Sequence, residues 1–206
     1  MIIELLQVGV FQSNCYIIGD EETGKGIIID PGADGEKVLS KCRECKLDIE
    51  YILLTHGHGD HIGGVVDVKS GTGAKICISR KDEYLVKGET KRLIPILRNI
   101  KLFDADMFLK DRDTIKVGAL EVSVLETPGH TPGGLSFKIG SNVFSGDALF
   151  KGSVGRTDFE FGSMDQLVEG IRSNILTLPG DTVVYPGHGP STTVEAEKRF
   201  NPYVKE

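Results

Sequence analysis

Tyr51-Ile52-Leu53-Leu54-Thr55-His56-Gly57-His58-Gly59-Asp60-His61 is an apolar run that ends in three histidines and an aspartate packed into six residues. Residues 51–54 read as a buried strand that delivers the chain to the polar cluster. A helix is predicted to start near His61 and run through Val65, Val66 and Val68. Neutral imidazole and carboxylate are good donors for a divalent ion. Side chains two apart in an extended loop point the same way. His56 and His58 can therefore share one ion, while Asp60 and His61 turn toward a second as the helix begins.

The chain has five histidines in all. The other two lie in near-twin settings, Thr127-Pro128-Gly129-His130 and Tyr185-Pro186-Gly187-His188, and each can complete one ion. Asp147 follows Ser145-Gly146 at the end of an apolar strand, where its carboxylate can bridge both ions. A lone histidine after a turn is usually a polar surface residue. A set that places every histidine of the chain at strand ends points instead to a metal centre. The 26 glycines, many beside histidine or aspartate, suggest tight turns that bring backbone close to such a site.

Outward from this cluster, strands are predicted over 2–8, 14–19, 26–30, 74–79, 106–109, 114–117, 119–126, 134–139, 142–145 and 183–185. Helices are predicted over 35–46, with Val38, Leu39 and Cys42 on one face, over 164–177, with Leu167, Ile171 and Ile175 aligned, and over 193–200. Residues 80–105 are expected to hold short helices and a flexible connection around Pro95. Strands and helices alternate in two halves. The fold class expected is α/β, a four-layer αβ/βα sandwich of two mixed sheets face to face with helices outside, in a single domain over 1–206. Every candidate ligand follows a strand, on loops where a rigid scaffold carries function.

With 24 Lys and Arg against 30 Asp and Glu, the net charge of -6 shows no basic footprint for nucleic acid, so none is expected as a partner. No apolar run approaches the roughly 20 residues of a membrane span. Met1-Ile2-Ile3-Glu4 lacks the basic start of an export signal, so a cytoplasmic location is expected. Cysteines at 15, 42, 45 and 77 are then expected as reduced thiols. Cys42-Arg-Glu-Cys45 has no second pair to complete a zinc site and reads as two incidental helical thiols.

His-x-His-x-Asp-His followed by Gly63-Gly64, the two Pro-Gly-His turns and Gly146-Asp147 together resemble the metallo-β-lactamase superfamily. Gln12-Ser13-Asn14-Cys15-Tyr16, Ile29-Asp30-Pro31-Gly32, Gly155-Arg156-Thr157-Asp158-Phe159 and Asn201-Pro202 resemble its short bacterial glyoxalase II-like branch. The resemblance implies one metal on His56, His58 and His130, a second on Asp60, His61 and His188, and Asp147 between them. Zinc is the expected metal, with iron and manganese as alternatives. The main class of zinc β-lactamases has cysteine where Asp147 stands, and flavodiiron proteins have glutamate where His58 stands. Nucleases of the superfamily carry an extra domain. Full-length glyoxalase II carries a C-terminal glutathione-holding segment for which little chain follows His188.

The expected activity is hydrolysis of a small-molecule acyl thioester or related ester by a metal-bridging hydroxide that Asp60 also orients. Arg156 is expected either to pair with a substrate carboxylate or to close a salt bridge with Asp158. Asp30 is expected to fix a ligand histidine from behind. Two rival readings are an iron-dependent persulfide dioxygenase, implied by the same resemblance on His56, His130 and Asp147, and a non-catalytic metal-binding module.

Overall fold

A computed structural model describes residues 1–93 and 99–205 of the chain; the expected connection around Pro95 falls outside the described residues. The first half contains β1 (Ile2–Val8), β2 (Ser13–Gly19), β3 (Lys25–Ile29), α1 (Gly35–Glu44), β4 (Asp48–Leu53), α2 (Gly59–Ile62), α3 (Val65–Thr72) and β5 (Lys75–Ser79). A 3-10 turn over Arg80–Asp82, a π-type turn over Leu85–Glu89 and α4 (Thr90–Leu93) follow, as the short helices expected there. β6 (Met107–Leu109) closes a six-stranded sheet in sequence order, β1 to β6. β1 and β2 run antiparallel to their neighbours, and β3 to β6 run parallel.

The second half contains β7 (Thr114–Val117), β8 (Leu120–Glu126), β9 (Leu135–Ile139), β10 (Asn142–Gly146), β11 (Leu149–Phe150), β12 (Ser153–Val154), α5 (Met164–Gly170), β13 (Val183–Pro186), β14 (Thr192–Thr193) and α6 (Val194–Phe200). Its sheet has the order β14-β13-β10-β9-β8-β7. β9 is antiparallel to both β8 and β10, and β13 is parallel to β10. β8, β10 and β13 therefore all end at the same edge, and each delivers one candidate ligand there.

The layers follow from the two-residue period of strands. Tyr16 and Ile18 on β2, Ile27 and Ile29 on β3 and Leu53 on β4 meet Val122 and Val124 of β8, Phe137 of β9 and Phe144 of β10 in a core between the sheets. The alternate residues Cys15, Ile17, Ile28 and Ile52 face Val38 of α1 and Val65 and Val68 of α3. On the far side, Leu125 and Val143 face Leu167 of α5, Ile171 just after it and Val194 of α6. Helix, sheet, sheet and helix are thus held by three apolar cores, as expected for the αβ/βα sandwich.

The single helix expected from His61 through Val68 is instead two, α2 and α3, separated at Gly63-Gly64. Gly64 N–H donates to the Pro31 carbonyl at 2.8 Å, and a Cβ at Gly63 would lie 2.4 Å from the Gly32 carbonyl oxygen. The backbone of the Asp30-Pro31-Gly32 turn thus occupies the break. The 164–177 helix changes pitch at Ile171, and Ile171–Ile175 continue as a wider π-type turn with Leu167, Ile171 and Ile175 all buried. The two-residue strands β11, β12 and β14 were not expected, since segments so short carry no periodicity.

Candidate metal centre

All seven expected ligands converge at the edge where the strands of both sheets end. His56 and His58 follow β4, Asp60 and His61 lie on α2, and His130, Asp147 and His188 follow β8, β10 and β13. Donor atoms of His56, His58 and His130 form one close set, and those of Asp60, His61 and His188 form another. Asp147 stands between them, with Oδ2 3.5 Å from His130 Nε2 and 3.8 Å from His188 Nε2, and Oδ1 3.4 Å from His61 Nε2.

Hydrogen bonds behind the rings decide which nitrogen faces the centre. Asp30 is buried at a left-handed φ of 51°, off the end of β3. Its carboxylate accepts from Thr55 N at 2.8 Å, Thr55 Oγ1 at 2.5 Å and His61 Nδ1 at 2.9 Å. The Thr55 hydroxyl proton being spent on Asp30, Thr55 Oγ1 accepts from His56 Nδ1 at 3.1 Å. His130 Nδ1 donates to the Arg156 carbonyl at 2.7 Å. His56 and His130 thus present a bare Nε2, and His61, held at Nδ1 by Asp30, also turns its Nε2 to the centre. His58 is turned the other way, with Nδ1 2.9 Å from His130 Nε2. In the second set, Ser13 Oγ donates to Asp60 Oδ2 at 3.2 Å, and Asn14 Nδ2 donates to the Pro186 and Gly189 carbonyls on either side of His188.

This arrangement fits divalent cations. A buried polar atom without a partner is costly, yet His56 Nε2, His61 Nε2 and Asp147 Oδ1 have none among the described protein groups. Tetrahedral donors about 2.1 Å from an ion stand roughly 3.4 Å apart. The separations of 2.9 Å for His58 to His130, 3.2 Å for Asp60 to His188 and 3.4 Å for Asp147 to His61 lie near that value. Asp30 is no competitor as a ligand, because both of its oxygens are already taken by donors.

The electrostatics agree. Burial, and then the neighbouring imidazoles, hold His56 well below the usual histidine range. Burial, helped by His130, takes His58 down to about 3. Both rings are therefore neutral ligands at physiological pH. Burial opposes ionisation of Asp60 and Asp147, but it is overcome chiefly by His61, which keeps Asp60 well below the carboxylate range and Asp147 down at about 2. Those same carboxylates raise His61 against its own burial. Ionised carboxylates and inward-facing nitrogens leave the cleft floor suited to positive charge.

A cleft of ≈ 490 Å³ opens above this floor, walled by Phe11, Phe150, Val154, Phe159 and Arg156. The Phe159 ring lies 4.8 Å from His58 and 5.7 Å from His130, and the Arg156 guanidinium stands 4.4 Å over it. Arg156 is exposed at the rim, and it forms the bidentate pair with Asp158 at 2.6 and 2.7 Å. Ser13, Thr55, Asp82 and the phenylalanines were not identified as site residues from the sequence. Ser13 and Phe159 lie inside residues 12–16 and 155–159, two stretches that resemble the glyoxalase II-like branch, the one signal that marks them.

Cys42 and Cys45 are remote from this constellation. Cys42 packs against the helix side of the first sheet, where burial pushes its thiol up to about 11. A Cys42→Ser, Cys45→Ser variant is expected to keep full metal content and activity. It should lose only a few degrees of Tm, since a buried hydroxyl costs about 1–2 kcal/mol. Elemental analysis beside a melting curve checks this, and loss of one stoichiometric ion would assign a metal to the pair.

Residues 8–188 match the model of the metallo-β-lactamase superfamily, and the chain belongs to that family. It is a metallo-hydrolase-superfamily protein with a His/Asp metal-binding cluster suited to divalent ions. Hydroxyacylglutathione hydrolase GloC of Haemophilus influenzae is 37% identical, over 99% of this chain and 98% of its own. The crystal structure of BLEG-1 B3 metallo-β-lactamase matches with a TM-score of 0.92 at 33% identity, covering 100% of both chains. That of TTHA1623 in a di-iron-bound form matches with a TM-score of 0.85 at 32% identity, covering 97% of this chain and 99% of that one. Among the described residues no helix is long and apolar enough to cross a membrane.

Proposed function

We propose that this protein hydrolyses small acyl thioesters with two divalent ions, one on His56, His58 and His130, one on Asp60, His61 and His188, with Asp147 shared. The observation that carries the proposal is the pair of three-donor sets on either side of Asp147, at the floor of a partly apolar cleft. Structural zinc sites are closed by four protein ligands. Here both sets face a cleft, which favours catalysis over a purely structural module. Similarity to GloC supports a thioester over other acyl compounds. Zinc is the metal proposed; the di-iron form of TTHA1623 makes iron the alternative to test.

When bound, divalent ions make hydroxide available at neutral pH and polarise an acyl carbonyl. The chain's own residues do the rest. Asp60, held by Ser13 Oγ and ionised, accepts a hydrogen bond from the attacking water and so aims it at the acyl carbon. Phe159 and Phe150 cover the flanks of the ligand histidines and keep bulk water from the acyl group. A thiolate leaves without a strong general acid.

Arg156 is the proposed contact for a substrate carboxylate. Its pair with Asp158 is solvent-exposed, and exposed pairs of this kind are weak enough to be exchanged for a substrate's charge. Arg156→Ala is expected to raise KM about tenfold for a hydroxyacylglutathione while leaving a neutral thioester of similar size within about twofold. Equal effects on both would leave Arg156 with the Asp158 pair alone. The activity itself is tested on zinc-loaded and iron-loaded protein with both thioesters, a β-lactam and a persulfide with oxygen uptake. Thioester turnover at least tenfold above the others is expected. Preference for the β-lactam, or persulfide-dependent oxygen uptake without thioester hydrolysis, would replace the proposal.

A further inference from the structure

Asp82 is a buried carboxylate that neither donor set uses. It ends the Arg80–Asp82 turn, which β5 leads into and which the Ser79 hydroxyl caps by accepting from Lys81 N at 3.3 Å. From there it reaches two loops that carry metal donors. Its Oδ2 accepts from Gly57 N at 3.1 Å, inside the peptide that joins His56 to His58. The same oxygen accepts from Thr131 Oγ1 at 2.8 Å, and Oδ1 accepts from Gly133 N at 2.7 Å, both just beyond His130. One side chain therefore spans a loop from the first half and a loop from the second, 25 to 51 residues away in sequence.

The fit is close enough to dictate the residues around it. A Cβ at Gly133 would lie 2.6 Å from Asp82 Oδ1, and one at Gly57 would lie 2.6 Å from Leu85 Cβ and 3.2 Å from the Asp82 carbonyl oxygen. Glycine at both positions lets the turn come in close enough to be bonded. The consequence is a fixed distance between the two loops, on which the 2.9 Å approach of His58 Nδ1 to His130 Nε2 depends. The second set has separate supports: Asp30 behind His61, Ser13 on Asp60, and Asn14 on the carbonyls flanking His188. Among the described residues, the side-chain hydrogen bonds of Asp82 go to Gly57, Thr131 and Gly133.

We propose that Asp82 is a positioning residue for the His56, His58 and His130 set alone, bridging the two loops so that their nitrogens meet at one ion without itself touching metal or substrate. This rests on the two-set reading of the metal centre. Groups that orient ligands from behind are worth about 10–100-fold in metal affinity. Here the effect is confined to one of two neighbouring sites, which a general loss of stability would not produce.

Zinc affinity, read by competition with a chromophoric chelator, tests this in two backgrounds. His188→Ala leaves the first donor set intact, and His58→Ala leaves the second. Adding Asp82→Ala is expected to weaken zinc binding about 10–100-fold in the His188→Ala background. In the His58→Ala background it should change binding by no more than about twofold, as for independent sites. Asp82→Asn keeps a carbonyl oxygen for Gly133 N–H and an amide for the Thr131 oxygen, and it gives up the Gly57 bond. It should fall between wild type and alanine, and it carries the comparison if the alanine variant fails to fold by circular dichroism. Equal weakening in both backgrounds, or none in the first, overturns the proposal. Absence of zinc binding in both backgrounds before Asp82 is changed would instead overturn the two-set reading on which it rests.

Discussion

His58→Ala is expected to lower turnover of the best substrate by roughly 10³-fold or more, while the metal-free protein melts within a few degrees of wild type. His58 is buried, but its neighbours are His130, His56 and Phe159 rather than the apolar cores, so truncation leaves a polar gap beside the cleft. What is lost is one of three donors to the first set. A single lost donor in a centre built to stabilise charge is worth several kcal/mol at the transition state, far more than a small gap outside the apolar cores. Metal content should fall from two ions toward one, with the ion on Asp60, His61 and His188 retained. Steady-state rates, elemental analysis and a melting curve in chelator check the three parts. A variant that keeps two ions and its turnover would remove His58 from the centre.

The contrast between what could be read from the residues and what could not lies in distance along the chain. His56, His58, Asp60 and His61 are adjacent, so their shared purpose shows in spacing. His130 and His188 show through their repeated Pro-Gly-His setting. The supports do not show, because each joins segments far apart. Ser13 reaches Asp60 across 47 residues, and Asp82 reaches Gly57 and Gly133 across 25 and 51. The same holds for the fold. Ile27-Ile28-Ile29 identifies a strand buried on both faces. Because all three are apolar, nothing in the run says that Ile27 and Ile29 face the other sheet while Ile28 faces the helices. The broken helix at Gly63-Gly64 is a tertiary effect too, since the Pro31 and Gly32 carbonyls that occupy the break come from another turn.

Asp30 was read from the sequence as a support, and its substitution should separate fold from function. Asp30→Ala leaves Thr55 N–H and the His61 Nδ1 proton buried without an acceptor, and puts alanine at a φ of 51°. Unmade bonds cost about 1–3 kcal/mol each and the left-handed backbone about 1–2 kcal/mol more. A loss of about 4 kcal/mol, or roughly 8–16 °C in Tm for a chain of this size, is expected. Asp30→Asn is the sharper test. Asparagine tolerates the left-handed conformation and keeps the volume, so most of that stability should return. One amide cannot replace both oxygens, however. If its carbonyl oxygen stays with Thr55 N–H, its NH₂ faces His61 Nδ1, and that nitrogen must become an acceptor. The ring's one remaining proton then belongs on Nε2, the atom turned toward Asp60 and Asp147, where it opposes an incoming ion. Asp30→Asn should therefore melt within about 5 °C of wild type yet bind the second ion about 10–100-fold more weakly. Zinc affinity of the Asp30→Asn protein, read in the His58→Ala background where the second set binds alone, checks this. Wild-type affinity for both ions in a stable Asp30→Asn protein would mean that Asp30 braces the turn and does not set the protonation of His61.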